Sequence, residues 1–167
     1  MFYSTELITP LGTVTLASDG DALCGLWFHG QKYFAASISG AMHQKDGLEI
    51  FGETKNWLER YFTGKRPEIR ELPLRPIGSE FRQNVWKILC EIPYGEVTTY
   101  GEIAQRIADE WGLESMSAQA VGGAVGHNPI SIIIPCHRVV GSDGNLTGYA
   151  GGIEKKRKLL EHEGAVL

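Results

Sequence analysis

Apolar stretches alternate with turn-forming residues along the N-terminal part of the chain. Residues 2–8, 13–18 and 22–28 are rich in β-branched, aromatic and other apolar side chains, which is typical of strands. Between them lie segments 9–12 (TPLG) and 19–21 (DGD), whose proline and glycine residues predict tight turns. Neighbouring strands joined by short turns predict an antiparallel sheet.

A helix is predicted next, over residues 48–63. Its apolar residues fall near one helical face, and Gly64 follows as an end signal. These apolar residues are Leu48, Phe51, Leu58 and Phe62. Residues 64–78 contain Pro67, Pro73 and Pro76, which mark a linker. The chain is therefore expected to form a sheet-plus-helix domain over residues 1–75 and a second domain over residues 76–167.

Helix-start signals recur after the linker. Ser79 precedes a segment whose apolar residues have helical spacing, and Pro93 ends that segment. Thr99 and Glu102 fit a capping box, in which each side chain satisfies a backbone N–H of the other residue. A helix is therefore predicted to begin there and to end at Gly112.

A further helix is predicted over Ala118–Gly126, capped by Ser117 or Ser115. Two short helices joined by a turn are typical of a helix-turn-helix. This second helix is rich in glycine, and each glycine inside a helix costs about 0.5–1 kcal/mol relative to alanine. Close approach to another backbone segment or to a DNA groove would compensate for that cost, and both interpretations stay open.

The apolar run Ile130–Ile134, broken only by Ser131, predicts a buried strand that Pro135 ends. Cys136 would then lie at the end of the strand, beside His137. Cysteine attacks as the thiolate, and His137 could take the proton directly or through a water. Adjacent side chains of an extended chain point apart, which favours the water. The alternative is that Cys136 is an inert core residue.

Net charge and apolar content bear on whether the protein binds nucleic acid or a membrane. The net charge is −4, and residues 80–167 hold eight Lys/Arg against eleven Asp/Glu, so bulk charge does not favour nucleic-acid binding. The basic run 155–158 is interpreted as a solvated helix face or as a local contact site. No apolar run approaches the ~20 residues that span a bilayer, and the N-terminus lacks signal-peptide features. No membrane association is expected.

The three cysteines are far apart and odd in number, which argues against a disulfide framework and favours the cytoplasm. Cys24 and His29 could form half of a zinc site. No further ligands follow at typical spacing, so no metal is expected.

Four segments occur together and in order: Asn128-Pro129, the run 130–134, segment 135–140 (PCHRVV) and segment 148–152 (GYAGG). In this combination the chain resembles the O6-alkylguanine-DNA alkyltransferases, the methylated-DNA–protein-cysteine methyltransferases. The resemblance covers about residues 79–164 and is very specific there. Residues 1–75 carry no signature, but they agree in size and pattern with the variable N-terminal domain of the family.

The resemblance implies an α+β fold. A ribonuclease-H-like antiparallel-sheet domain would precede a winged-helix or helix-turn-helix-like alkyltransferase domain with an active-site hairpin loop. It implies DNA repair by direct damage reversal, in which Cys136 irreversibly takes the alkyl group of O6-alkylguanine, and of O4-alkylthymine, without a cofactor. The damaged base must rotate out of the duplex to be reached. The partner would be double-stranded DNA, bound through its minor groove by a monomer.

The resemblance also assigns residues to three groups. The catalytic group consists of Cys136, His137, Glu163, Asn128 and Tyr100. The substrate-binding group consists of Tyr149, Ala150, Val139 and Gly151. The DNA-binding group consists of Gln119, Ala118, Gly122 and Gly123. Within the first group, Glu163 would orient His137, which would deprotonate Cys136 through a water and lower the pKa of its thiol.

The other implied roles concern the turn and the base. Asn128 would brace the turn around the catalytic network, and Tyr100 would hydrogen-bond the guanine ring and help to protonate the departing base. The Val139 carbonyl and the Ala150 amide would read the base edge. Arg138 is expected to make structural contacts between segments.

One position departs from the family pattern. Where the family commonly has an arginine that fills the gap left by the flipped base, this chain has Gln119. Glutamine can hydrogen-bond the orphaned cytosine, but it brings no charge and less stacking surface. We therefore expect less efficient base extrusion and unchanged cysteine chemistry.

Two other functions compete with alkyl transfer. The first is a non-enzymatic sensor of alkylated DNA, against which the presence of Cys136 argues, because relatives of that kind lack the nucleophile. The second is a cysteine hydrolase with a triad of Cys136, His137 and Glu163. That function has no evident means of turning over an acyl intermediate and leaves the helix-turn-helix unexplained.

Overall fold

The computed structural model describes residues 1–165, so the last two residues of the predicted second domain, Val166 and Leu167, lie outside the described residues. The chain divides into two compact units. The first unit comprises Met1–Ile77 and Pro129–Ile133. The second comprises Gly78–Asn128 and the chain from Ile134 onwards. The chain therefore leaves the second unit after Asn128 and re-enters it just before Cys136.

The first unit is built on a sheet of order β3-β2-β1-β4. Strands β1 (Phe2–Thr9), β2 (Gly12–Ser18) and β3 (Leu23–Phe28) are antiparallel neighbours, which confirms the predicted meander. Helix α1 (Glu49–Phe62) confirms the helix predicted over residues 48–63, and it packs on this sheet. Its buried face includes Ile50, Phe51, Trp57, Leu58 and Tyr61.

Strand β4 (Met42–Gln44) runs parallel to β1 and was not predicted from the sequence. It is three residues long and mostly exposed, so it carries no apolar alternation. A short 3₁₀ helix, Ile69–Glu71, interrupts the predicted linker.

The segment 129–133 completes the first unit and corrects one prediction. Leu26 donates its N–H to the Pro129 carbonyl at 2.8 Å, and Ser131 donates to the Leu26 carbonyl at 2.9 Å. After this single bridge the chain turns, with Ile132 at φ 70° and the Ile133 N–H bonded to the Ser131 carbonyl at 2.8 Å. The predicted strand Ile130–Ile134 is therefore wrong. The run is buried throughout, and burial alone does not distinguish a strand from a buried turn.

The second unit is mainly helical: α2 (Glu80–Leu89), α3 (Tyr100–Trp111), α4 (Ala118–Gly126) and α5 (Ile153–Glu163). The predicted start signals are confirmed. Ser79 accepts a hydrogen bond from the Arg82 N–H, and Thr99 forms the capping box with Glu102. Gly112 ends α3 in the left-handed region at φ 67°, which glycine adopts without steric strain.

Helix α4 is capped by Ser117, which decides between the two predicted caps. Helix α2 packs against α4, and the Trp86 indole donates to the Ala124 carbonyl at 2.8 Å. A two-residue parallel pair, β5 (Thr98–Thr99) with β6 (Val139–Val140), joins the start of α3 to the cysteine segment. In the part of the chain that is described, no helix has the length and apolarity to cross a membrane.

Candidate active site

Cys136 opens a one-turn 3₁₀ helix, Cys136–Arg138, rather than following a strand. Its N–H bonds the Ile134 carbonyl at 2.8 Å. The Asn128 amide donates to the same carbonyl at 2.8 Å. Asn128 therefore lies where the sequence expected it, across the turn that precedes the cysteine, and its contact fixes the backbone that carries the thiol.

The Cys136 thiol is buried, with polar and charged groups near it. Cys136 is 5% exposed, and burial raises the pKa of the thiol. Hydrogen bonds with Asn128 and Tyr149 and the charge of Lys156 act in the opposite direction. The balance keeps the resting thiol protonated. The pKa of the thiol therefore lies above that of an ordinary cysteine, because burial outweighs the charges around the sulfur. The lowering expected from His137 and Glu163 stays a prediction.

His137 and Glu163 form a buried pair beside this thiol. His137 Nε2 lies 2.7 Å from Glu163 Oε2, and neither side chain is exposed. Burial lowers the pKa of His137, so the imidazole is neutral. An ionised carboxylate only accepts hydrogen bonds, so Nε2 carries the proton and Nδ1 is a free base. Within residues 1–165, Nδ1 is buried and has no hydrogen-bond partner, which leaves it able to accept a proton.

Arg138 supplies the charge that stabilises the Glu163 carboxylate. Its Nε and Nη2 donate to the two carboxylate oxygens at 2.8 and 3.0 Å, and Nη1 donates to the Ile92 carbonyl at 2.7 Å. Although burial opposes ionisation, hydrogen bonds from His137 and Arg138 hold the pKa of Glu163 well below its usual range. Arg138 makes the contacts between segments that the sequence analysis expected.

Lys156 was missed by the sequence analysis as a site residue. The run 155–158 was interpreted as a solvated face or a local contact site, yet Lys156 is fully buried. Its ammonium donates to the Val139 carbonyl at 2.6 Å and to the Gly148 carbonyl at 3.2 Å. It also donates to the Leu146 carbonyl. Burial lowers its pKa from 10.5 to about 8.

The helical spacing of Lys156 relative to later residues predicts that its side chain is buried. Lys156 precedes Leu159, Leu160 and Glu163 by three, four and seven residues, which places it on the same helical face. These three residues are buried together with it. The charge of Lys156 suggested an exposed side chain, whereas its position in the helical period indicates a side chain that faces the interior.

The loop between β6 and α5 carries most of the predicted substrate-binding residues. Tyr149 and Ala150 are half-buried in it, and Gly151 follows. The Val139 carbonyl, expected to read the base edge, accepts from the Lys156 ammonium at 2.6 Å. The Tyr100 hydroxyl, at the start of α3, lies 3.0 Å from the Thr147 hydroxyl.

The DNA-binding candidates lie on the exposed side of α4. Ala118, Gln119 and Gly123 are exposed, and Gly122 is half-buried. A Cβ added at Gly123 would meet no atom of the described residues within 4 Å, and one at Gly122 would meet only the Tyr100 ring, at 3.8 Å. Contact with another backbone segment therefore does not explain these two glycines.

No cluster of three or more His, Cys, Asp or Glu residues with metal-binding geometry occurs within residues 1–165. His29 instead lies 3.0 Å from the Thr15 hydroxyl.

Both parts of the chain match family models. Residues 2–76 match the 6-O-methylguanine DNA methyltransferase ribonuclease-like domain, and residues 80–165 match the DNA binding domain of the same family. The Haemophilus influenzae methylated-DNA–protein-cysteine methyltransferase is 43% identical over 161 residues, which cover 96% of this chain and 86% of that protein. The Mycobacterium bovis protein of the same name is 44% identical over 164 residues, which cover 98% and 93%.

Solved structures agree with these matches. The crystal structure of Mycobacterium tuberculosis O6-methylguanine methyltransferase has a TM-score of 0.82 at 43% identity, with 98% of this chain and 93% of that chain covered. Mycobacterium tuberculosis OGT in complex with DNA has a TM-score of 0.81 at 41% identity, with 98% and 92% covered. The expected α+β fold is confirmed. The chain therefore belongs to the 6-O-methylguanine DNA methyltransferase family.

Proposed function

We propose that Cys136 is the alkyl acceptor of this protein and that it reacts with O6-alkylguanine in DNA. Family membership makes the protein an enzyme of DNA repair that moves an alkyl group from DNA to one of its own cysteines. The observation that carries the assignment is the buried proton acceptor beside Cys136. His137 presents an unprotonated Nδ1, and its Nε2 is fixed by Glu163.

The neighbouring residue distinguishes Cys136 from the other two cysteines. Burial raises the pKa of all three thiols, that of Cys90 to about 11. Only Cys136 is followed directly in the chain by a histidine, and that histidine pairs with a carboxylate. All three are free thiols, which also supports the reducing cytoplasm as the compartment.

The proposed reaction balances with the groups present. The Cys136 proton passes through a water to His137 Nδ1, and the sulfur forms a bond to the alkyl carbon while the bond from that carbon to guanine O6 breaks. The electron pair of the broken bond stays on guanine, and Tyr100 gives its proton to the base. Glu163 stabilises the imidazolium that forms. A thioether does not hydrolyse readily, so each molecule acts once and needs no cofactor.

We assign DNA binding to the exposed side of α4, which would enter the minor groove. That groove is narrow, and the small residues Ala118, Gly122 and Gly123 permit a close approach. The target base must leave the stack, at a cost of a few kcal/mol, to reach a buried thiol. O4-alkylthymine presents a related oxygen and is a second substrate under this proposal. We propose that one copy of the chain acts alone.

The rival functions differ from this proposal in what remains on the protein. A sensor would bind alkylated DNA and stay unmodified. A cysteine hydrolase would release its product and turn over repeatedly. The histidine–glutamate pair argues against a sensor, which has no use for a proton acceptor at the thiol.

Intact-mass spectrometry tests the proposal. After incubation with excess duplex containing O6-methylguanine, the protein should gain one methyl group per molecule, and peptide mapping should locate that group on Cys136. Undamaged duplex of the same sequence is the control. An unmodified protein would favour the sensor, and a methyl group on Cys24 or Cys90 would refute the assignment of Cys136.

A second prediction concerns Gln119. Gln119→Arg is expected to speed repair of duplex DNA several-fold, because arginine adds a charge near the phosphates and a larger planar group in the gap left by the base. Transfer from free O6-benzylguanine should stay the same, since no base has to be extruded. Single-turnover rates on both substrates measure the effect. Equal duplex rates for both proteins would show that another residue fills the gap.

A further inference from the structure

Thr147 occupies an unusual position in the loop after β6. Its φ is 55°, in the left-handed region that a β-branched residue adopts only when its surroundings impose it. Those surroundings are visible. Lys156 binds the carbonyls on both sides, those of Leu146 and Gly148. A Cβ at Gly141 would lie 3.0 Å from Asp143 Oδ1 and 3.1 Å from the Thr147 methyl group, so a side chain there would crowd the threonine.

This backbone conformation directs the Thr147 hydroxyl at Tyr100. The two hydroxyl oxygens are 3.0 Å apart. The Thr147 hydroxyl also donates to the Leu146 carbonyl at 2.7 Å. A hydroxyl has one proton, so while Thr147 donates to Leu146 it must accept from Tyr100. With this donor arrangement the phenol proton points at Thr147.

The direction of this hydrogen bond must reverse when a base binds. Under the proposed function Tyr100 donates to guanine, and its oxygen is then free to accept from Thr147. Thr147 can turn away from Leu146 without leaving a buried carbonyl unpaired, because Lys156 still donates to Leu146. The loop thus holds a hydroxyl that can switch from acceptor to donor.

We propose that Thr147 is a positioning residue for alkyl transfer. Its hydroxyl orients the Tyr100 phenol before the base binds, and it donates to the phenolate oxygen when Tyr100 gives its proton to the departing guanine. This inference rests on the proposed role of Tyr100. The proton leaves the phenol, the electron pair stays on the phenol oxygen, and the Thr147 O–H bond remains intact. Charge-assisted hydrogen bonds of this kind are roughly twice as strong as neutral ones.

The electrostatics of Tyr100 agree with such a role. Burial raises the pKa of the Tyr100 phenol, and the hydrogen bond with Thr147 lowers it again. The thiolate form of Cys136 raises it further. The Thr147 hydroxyl therefore favours the ionised form of the Tyr100 phenol, the form that proton transfer to the base produces.

Three variants separate the hydroxyl from the shape and from the backbone conformation. Thr147→Val keeps the β-branched shape without the hydroxyl, Thr147→Gly relieves the backbone strain without the hydroxyl, and Thr147→Ser keeps the hydroxyl. With free O6-benzylguanine as the probe, Val and Gly should slow transfer roughly tenfold, the size of a lost hydrogen bond to a charged group. Ser should stay within about twofold of the parent protein.

The same variants are then made in a Tyr100→Phe background. There Thr147→Val should change the rate less than about twofold, because the partner of the hydroxyl is gone. Ultraviolet difference titration of each protein against its Tyr100→Phe counterpart reports the phenol alone, and Thr147→Val should raise the pKa of that phenol. Thermal unfolding checks that each variant is folded.

The outcomes distinguish the role of Thr147 from the role of Tyr100. Equal slowing by Thr147→Val with and without the Tyr100 hydroxyl would overturn the role of Thr147, since the effect would then come from the loop alone. A slow Thr147→Ser variant would do the same. Unchanged transfer by Tyr100→Phe in otherwise unaltered protein would instead overturn the proposed role of Tyr100, and with it this inference.

Discussion

Cys136→Ser is expected to lose alkyl transfer almost completely, with rates more than about a thousandfold below those of the parent protein. A serine hydroxyl ionises far less readily than a thiol, and its oxygen is a weaker nucleophile than sulfur towards an alkyl carbon. The replacement is nearly isosteric, and Asn128 and Tyr149 can still bond the hydroxyl, so the fold and DNA binding should persist. The measurement is single-turnover transfer from methylated duplex.

Matched controls for this variant are available in the same chain. Cys24→Ser and Cys90→Ser should transfer the methyl group at rates within a few-fold of the parent protein, because neither thiol adjoins the His137–Glu163 pair. Residual methylation of Cys136→Ser at a normal rate would show that another residue is the acceptor. Loss of transfer in Cys90→Ser with an intact fold would point to the same conclusion.

Glu163→Gln is expected to destabilise the protein by about 3–5 kcal/mol, the usual effect of removing one partner from a buried ion pair. The Arg138 guanidinium, bonded to both carboxylate oxygens, would be left buried beside a neutral amide. Transfer should also slow by roughly a hundredfold or more, since the imidazolium of His137 would lose its counter-ion. Chemical denaturation and single-turnover kinetics measure the two effects.

The pH dependence of this destabilisation has a definite sign. The pKa of Glu163 is lower in the folded protein than in the unfolded chain. Its contribution to stability is therefore fully present above the ordinary glutamate pKa of about 4.3 and declines as the pH falls below that value. The difference between Glu163→Gln and the parent protein should shrink on acidification.

Glu161→Gln is the matched control, because Glu161 is exposed on the same helix. It should change the free energy of unfolding by less than about 0.5 kcal/mol at any pH. If Glu163→Gln were equally mild, the carboxylate would not be stabilising the buried arginine.

Helix ends and short turns were predicted correctly because interactions between residues close in sequence determine them. Ser79 and the pair Thr99–Glu102 begin helices because their side chains satisfy nearby N–H groups, and Gly112 ends one because its backbone can be left-handed. Because these interactions join residues only a few positions apart, the sequence alone predicts them. The strands β1 to β3 were found for the same reason, since their turns are short.

The predictions that failed depend on partners far away in the chain. Strand β4 pairs with β1, more than thirty residues earlier, and β5 pairs with β6 across α3 and α4. The bonds of Leu26 to Pro129 and Ser131 lie before Ile132, where the run turns instead of continuing as a strand. Of the site, the resemblance supplied the residues around Cys136, but not the burial of Lys156 or its three carbonyl partners.

The placement of residues 129–133 in the first unit has a consequence for synthesis on the ribosome. When Ile77 emerges, Leu23 of β3 can already bond with Pro73 and Arg75, but Leu26 is still an unpaired part of that sheet edge, because its bonds come from Pro129 and Ser131. The N-terminal unit can be completed only after about fifty further residues have left the exit tunnel, the helices α2 to α4 among them. A fragment that stops at residue 77 should therefore aggregate, and co-expression of the remainder should rescue its solubility.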